Sequence, residues 1–231
     1  MRYWKPEDIF ELRCPYCGSE MEFFKDEPSL TCPSCHSEVR NPRIDLGCAK
    51  WCKFARDCLG PTAEASDTVG SRCERIIEEM KKLFGDDSRR IEHALRVLDH
   101  AETILDVERA DPLTVKAAAI LHDIGIREAE RRHGSSAPRY QEIEGPPIAR
   151  AILEKLGLDA DTVEHVCRIV GSHHSAKNID TPEFRIVWDA DWLVNIPDEF
   201  PTASREKLEA IVARVFKTAK GRALAEERFL S

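Results

Sequence analysis

Residues 111–125 read DPLTVKAAAILHDIG, and the fold turns on how this stretch is read. Asp111 before Pro112 is a helix start: the aspartate caps N–H groups that have no helical partner, and proline suits the first turn because its missing N–H would be unbonded there. The helix is predicted to run to about Ile124, before Gly125. Leu113–Ile124 is apolar on nearly every side, so it should be buried. It nevertheless ends in His122-Asp123, and a buried carboxylate is expensive unless it is paired or bound to a metal. Further along, Thr181-Pro182 repeats the start signal for a helix running to about Ile196, before Pro197. Its segment Phe184–Ile196 (FRIVWDADWLVNI) is equally apolar and holds Asp189 and Asp191. Two buried helices that each present acids point to a shared cation.

Histidines supply the complement. On a predicted helix over 88–107, the apolar arc holds Ile91, Ala94, Leu95, Val97, Leu98, Ala101 and Leu105, with His93 at its edge and His100 beside it. His173 and His174 follow Gly171 at the end of another apolar helix (VEHVCRIVGSHH). Mixed imidazole and carboxylate donors suit Mn, Fe, Co, Ni or Zn better than Mg or Ca. Further helices are expected over 73–84, Pro147–Leu156, 161–171 and 203–219. No stretch beyond residue 60 alternates with period two, so that part is read as all-α.

The order His93 (RIEHALRV), His122-Asp123 (ILHDIG), Asp191 (DADWL) resembles the signature of HD-domain metal-dependent phosphohydrolases, over roughly residues 75–225. The resemblance implies a mainly α, HD-type helical bundle in which His93, His122, Asp123 and Asp191 hold a first metal. It implies hydrolysis of a phosphoester of a nucleotide or small phosphorylated metabolite by metal-activated water, with His122 and Asp123 at the catalytic centre. Asp189 would lie behind the ligands, orienting one of them or a water. His173 and His174 match positions that bind a second ion in some members. The remaining position of that site falls in RYQEIEGPPIARAIL, which offers Glu142 and Glu144 but no histidine, and Glu144 is the preferred substitute. Arg127, Arg131, Arg132, Arg139 and Lys177 are candidate phosphate holders, and His133 a loop residue lining the cleft. Two alternatives stay open: a di-iron oxygenase of HD type, and a non-catalytic ligand sensor or scaffold.

The N-terminal part differs in texture. Eight of the nine cysteines fall within the first 73 residues. Cys14-x-x-Cys17 and Cys32-x-x-Cys35 make a four-cysteine zinc ribbon with short β-hairpins, structural or protein-docking in role. Cys48, Cys52 and Cys58, with Cys73 as a fourth thiolate, form a second set that would hold zinc, an iron–sulfur cluster or nothing. The predicted organisation is a cysteine-rich module over 1–60, a connector over 61–75 and the catalytic domain over 76–231, without internal repeats.

At 231 residues the chain suits one medium domain and one small one. A formal charge of −8 argues against a nucleic-acid partner, which needs a basic face. MRYWKPEDIF has no apolar core of an export signal, and no apolar run is long enough to span a membrane. A cytoplasmic protein with a small phosphorylated substrate is expected.

Overall fold

The computed structural model describes residues 9–24, 27, 29–41 and 69–231. Two compact units, Met1–Asp67 and Thr68–Ser231, divide the chain.

In the first unit, strands β1 (Ile9–Arg13) and β2 (Glu20–Phe24) pair antiparallel, as do β3 (Ser29–Thr31) and β4 (Glu38–Arg40). Each hairpin is closed by a cysteine knuckle. The Gly18 N–H donates to Cys14 O at 2.8 Å, and the His36 N–H donates to Cys32 O at 2.9 Å. The residue after each second cysteine takes a left-handed conformation, Gly18 at φ 76° and His36 at φ 58°. The expectation of no repeat is therefore corrected. LRCPYCGSEM (12–21) and LTCPSCHSEV (30–39) share the pattern L-x-C-P-x-C-x-S-E, one copy per hairpin. The two copies are too short and too diverged at their variable positions to stand out without their common turn.

The second unit is helical: α1 (Val69–Phe84), α2 (Ser88–Leu105), α3 (Pro112–Leu121), α4 (Ile126–His133), α5 (Pro138–Lys155), α6 (Ala160–Val170), α7 (Pro182–Glu199), α8 (Arg205–Val215) and α9 (Ala219–Leu230). The expected start signals operate. Asp111 accepts the Thr114 N–H at 2.7 Å at the head of α3, and Thr181 accepts the Phe184 N–H at 3.3 Å at the head of α7. Helix α3 is the central one, with Leu113–Val115 and Ala117–Leu121 all buried. Its run of alanines lets neighbours approach closely, and α1, α2, α6 and α7 all pack on it. None of the described helices is long and apolar enough to cross a membrane.

The expected 61–75 connector is corrected at its end. Helix α1 already begins at Val69, because Cys73, Ile76, Met80 and Phe84 form one buried stripe that extends into that segment. Cys73 thus lies in the helical core, and burial pushes its thiol up to about 11. Packed among apolar side chains of that core, Cys73 is a poor fourth ligand for the second cysteine set. The other three cysteines of that set, Cys48, Cys52 and Cys58, lie outside the described residues.

Candidate metal centre

His122 and Asp123 occupy the turn between α3 and α4, where Ile124 N–H returns to Leu121 O and Ile126 N–H to Asp123 O. Gly125 lets that turn press against α5: a Cβ there would come within 2.6 Å of the Gln141 carbonyl oxygen and of the Gly145 nitrogen. From the edge of α2 comes His93, from α7 Asp191, and from the turn after α6 His173 and His174.

The four residues expected to form one cage converge. His93 Nε2 lies 3.1 Å from His122 Nε2, 3.2 Å from Asp191 Oδ1 and 3.5 Å from Asp123 Oδ2. His122 Nε2 lies 3.4 Å from Asp123 Oδ2 and 3.6 Å from Asp191 Oδ1. On its other side Asp123 faces His173, with Oδ1 3.4 Å from Nε2. Asp123, His173 and His174 can offer donor atoms to a common point, as can His93, His122 and Asp123.

Two imidazoles have their tautomer set by the backbone. His122 Nδ1 is 2.8 Å from Ala119 O, and His173 Nδ1 is 2.7 Å from Val170 O. A carbonyl only accepts, so each Nδ1 carries a proton and it is the Nε2 of each ring that faces the site, where a lone pair is free for an ion once one is bound. His173 Nε2 is buried and makes no hydrogen bond among the described residues. His122 Nε2 facing His93 Nε2 at 3.1 Å, an orphaned His173 nitrogen, the buried Asp191 and the half-buried Asp123 together call for a cation. These donors fit a divalent transition metal.

Without an ion, the same surplus of negative charge draws a proton to His122. Burial pulls His122 down, but Asp123 and Asp191 outweigh it and lift the ring to about 9. Burial pushes Asp123 up, yet His122 and His173 hold it well below the carboxylate range; for Asp191 the same contest is won by His93 and His122. Burial, helped by the neighbouring His173, depresses His174 to about 4.

Three expectations need correction. Glu144 does not join the cluster: His133 Nε2 is 2.9 Å from its Oε1 and Arg132 Nη1 is 3.2 Å from its Oε2. His133 is accordingly no loop residue of the cleft but the end of α4, with its ring stacked on Tyr140. Asp189 is fully buried and faces away from the ligands. It accepts the N–H groups of Lys217 (2.8 Å) and Thr218 (2.7 Å) and the Thr218 hydroxyl (2.7 Å), fastening the α8–α9 junction to α7. Burial lifts its carboxyl to about 6 against those donors. His100 meets Arg228, whose Nη1 lies 2.9 Å from its Nε2, and not the ligands.

The structure also adds residues. Asn195, one turn beyond Asp191, donates from Nδ2 to Asp191 Oδ1 at 2.8 Å. Gln141 donates to Ser136 O at 2.6 Å, which leaves its Oε1 facing His174 Nε2 at 3.3 Å. Glu142 accepts the N–H groups of His174 and Ser175 at 3.1 and 2.7 Å, shaping the turn that carries both histidines. The i, i+4 spacing of Asp191 and Asn195 was readable. Gln141 and Glu142 act across a tertiary contact that no local pattern announces.

The cavity beside the cluster is lined by Arg89, Arg90 and Arg96 and by none of the five basic residues expected there. Arg127 instead donates to Leu83 O, Arg131 and Arg132 are tied to Glu128, and Arg139 covers Tyr140.

In the N-terminal unit, Cys14, Cys17, Cys32 and Cys35 gather their sulfurs. Cys14 Sγ is 3.7 Å from Cys35 Sγ, and Cys17 Sγ is 3.6 Å from Cys32 Sγ. These separations are far from a bonded pair, and close to the edge of about 3.8 Å that a tetrahedron with Zn–S of about 2.3 Å requires. The Ser19 hydroxyl lies 3.1 Å from Cys32 Sγ, and that hydrogen bond leads the influences that lower the Cys32 thiol to about 6.

Residues 90–196 match the model of the HD domain. The chain is similar to a predicted HD superfamily hydrolase from an uncultured Thermotogales bacterium, solved by crystallography. Identity is 27%, with a TM-score of 0.52 over 68% of this chain and 84% of that one. It also resembles the fold of an HD-superfamily hydrolase from Bacillus thuringiensis, at 20% identity and a TM-score of 0.50 over 71% of this chain and 92% of that one. No curated protein matches.

Proposed function

With residues 90–196 forming an HD domain, we propose that the chain is a metal-dependent phosphohydrolase acting on a nucleotide or another small phosphorylated metabolite. The observation that carries the reading is the meeting of His93, His122, Asp123 and Asp191 from three separate parts of the bundle: the two imidazole nitrogens lie 3.1 Å apart, and each is 3.2–3.6 Å from an oxygen of Asp123 and of Asp191. These four would hold the ion, and His173 and His174 would serve a further one beside Asp123. When bound, a divalent ion would supply a water acidic enough to ionise near neutral pH, and positive charge for the phosphoryl oxygens.

The protein's own share is positioning. Ala119 O and Val170 O fix which nitrogen of His122 and His173 faces inward. Asn195 holds the Asp191 carboxylate in one rotamer. Asp123 lines the cavity and is the acceptor available to orient the hydrogen of an attacking water.

Metal analysis followed by a phosphatase screen, with Mn, Fe, Co, Ni and Zn each supplied, tests the proposal. The double substitution His122→Ala, Asp123→Ala is expected to abolish both metal binding at this centre and phosphoester hydrolysis. Full turnover in that variant would overturn the reading. Oxygen uptake by iron-loaded protein, without phosphate release, would replace it with an oxygenase.

A further inference from the structure

Next to the ligand cluster lies a cavity of about 560 Å³, a size suited to a small organic molecule. Its walls are chemically unequal. On the α2 side Arg89, His93 and Arg96 follow the i, i+4, i+7 spacing of one helix face, and all three line the cavity. Arg90 lines it too, but Asp87 and Glu130 hold its guanidinium at 3.1 and 2.6 Å. Arg89 and Arg96 are exposed and have no carboxylate partner among the described residues. They are left to bind an anion.

The opposite side is the C-terminal end of α7. Asp191 and Asn195 are engaged with one another, while Asp198 and Glu199 also line the cavity and have no cationic partner among the described residues. Burial, aided by Asp191, pushes the Glu199 carboxyl up. Free carboxylates on a cavity wall accept hydrogen bonds from ligand hydroxyls.

The rest of the lining separates the two substrate classes left open above. Among the described residues that line the cavity, Ile126 is the one aliphatic side chain, and there is no Phe, Tyr or Trp. A nucleobase is commonly bound by stacking on Phe, Tyr or Trp rings, and none lines this cavity among the described residues. Guanidinium groups match the oxygens of a phosphate.

We propose that the substrate is a phosphorylated polyol or sugar, its phosphate placed between Arg89, Arg96 and the ligand cluster and its hydroxyls directed to Asp198 and Glu199. This inference rests on the phosphohydrolase reading for its reaction, but not for its binding chemistry.

The experiment pairs turnover with calorimetry on the metal-loaded full chain, using a hexitol phosphate and a nucleoside monophosphate as probes. The hexitol phosphate is expected to bind about tenfold or more tightly than the nucleotide, the size of effect that charge-assisted hydrogen bonds give. Arg89→Gln with Arg96→Gln is expected to weaken hexitol phosphate binding about tenfold, and Asp198→Asn with Glu199→Gln to erase the preference. Nucleotide binding that equals or exceeds hexitol phosphate binding would overturn the proposal. A clear hexitol preference without any turnover would sink the hydrolase and leave the ligand class standing. Preferential turnover of the nucleotide would do the reverse.

Discussion

Asn195 shows how much of a metal site is made by residues that never touch the metal. Its amide donates to Asp191 Oδ1 at 2.8 Å across one helical turn, so the carboxylate does not have to choose among rotamers when an ion arrives. Removing such a partner commonly weakens metal affinity about 10- to 100-fold. Asn195→Leu should therefore weaken Mn2+ binding by that order in a calorimetric titration while the protein stays folded, and an unchanged affinity would mean that Asp191 holds itself. Asp189, two residues from Asp191, illustrates the opposite use of a buried acid. All three of its hydrogen bonds secure the α8–α9 junction. With an alanine there, two backbone N–H groups and a hydroxyl lose their acceptor, at about 1–3 kcal/mol for each group left unsatisfied. Asp189→Ala should lower the stability measured by urea unfolding by about 3 kcal/mol or more, and a loss under about 1 kcal/mol would show that the junction is held by other contacts. The sequence marked Asp189 correctly as a buried carboxylate needing partners. It carried no sign of which partners, because those lie 28 and 29 residues away along the chain.

Among the elements, those bounded by strong caps were legible and those that break a local rule were not. Helices α3 and α7 announce themselves through Asp111-Pro112 and Thr181-Pro182, and their acids announce the site. Helix α5 is expected only from Pro147, but it runs from Pro138 straight through Pro146 and Pro147. Helix α7 likewise continues past Pro197 to Glu199. Proline removes one helical hydrogen bond at a cost that tertiary packing can offset, and α5 has that packing from α4 and α6. Helix α4 (IREAERRH) reads as loop because its highly charged sequence hides the two residues it buries, Ile126 and Ala129. The helix expected over 203–219 ends at Val215, and a further one, α9, follows over Ala219–Leu230, where Thr218 caps its head by accepting the Gly221 N–H at 2.9 Å. One contact between elements decides whether the His122-Asp123 turn reaches its place. Gly125 meets α5 so closely that a methyl group would strike backbone atoms of Gln141 and Gly145, which no rotamer change relieves. Overpacking of this kind costs about 1–3 kcal/mol, and more when backbone must move. Gly125→Ala is expected to lower the stability measured by denaturant unfolding by that amount and to weaken metal binding at the same time, since the turn carries two of the four ligands. A variant with native stability and native metal affinity would show that α5 can withdraw freely.

At the scale of the whole molecule, the two units solve the problem of stability by different means. The helical unit buries a large core, in which Phe84, Ile120, Leu121, Phe184 and Leu193 are almost wholly removed from solvent. The N-terminal unit has, among its described residues, a buried set of Cys14, Met21, Phe23, Cys32 and Val39 with four partly buried neighbours. Two of those five are cysteines of the ribbon. Ordering each residue of the chain costs about 1–2 kcal/mol of backbone entropy, and a metal held by the four gathered thiols would add to what these described apolar side chains offset. The prediction is that Cys17→Ser with Cys35→Ser removes one zinc per chain and leaves the metal content of the helical site unchanged. In limited proteolysis the variant should then be cut within residues 9–41, while residues 69–231 survive as a resistant fragment. The far-ultraviolet helical signal should be preserved, because the helical core contains none of the four ribbon sulfurs. Equal resistance of residues 9–41 with and without those thiols would mean that the hairpins stand on their apolar contacts alone, and the zinc assignment would lose its physical ground.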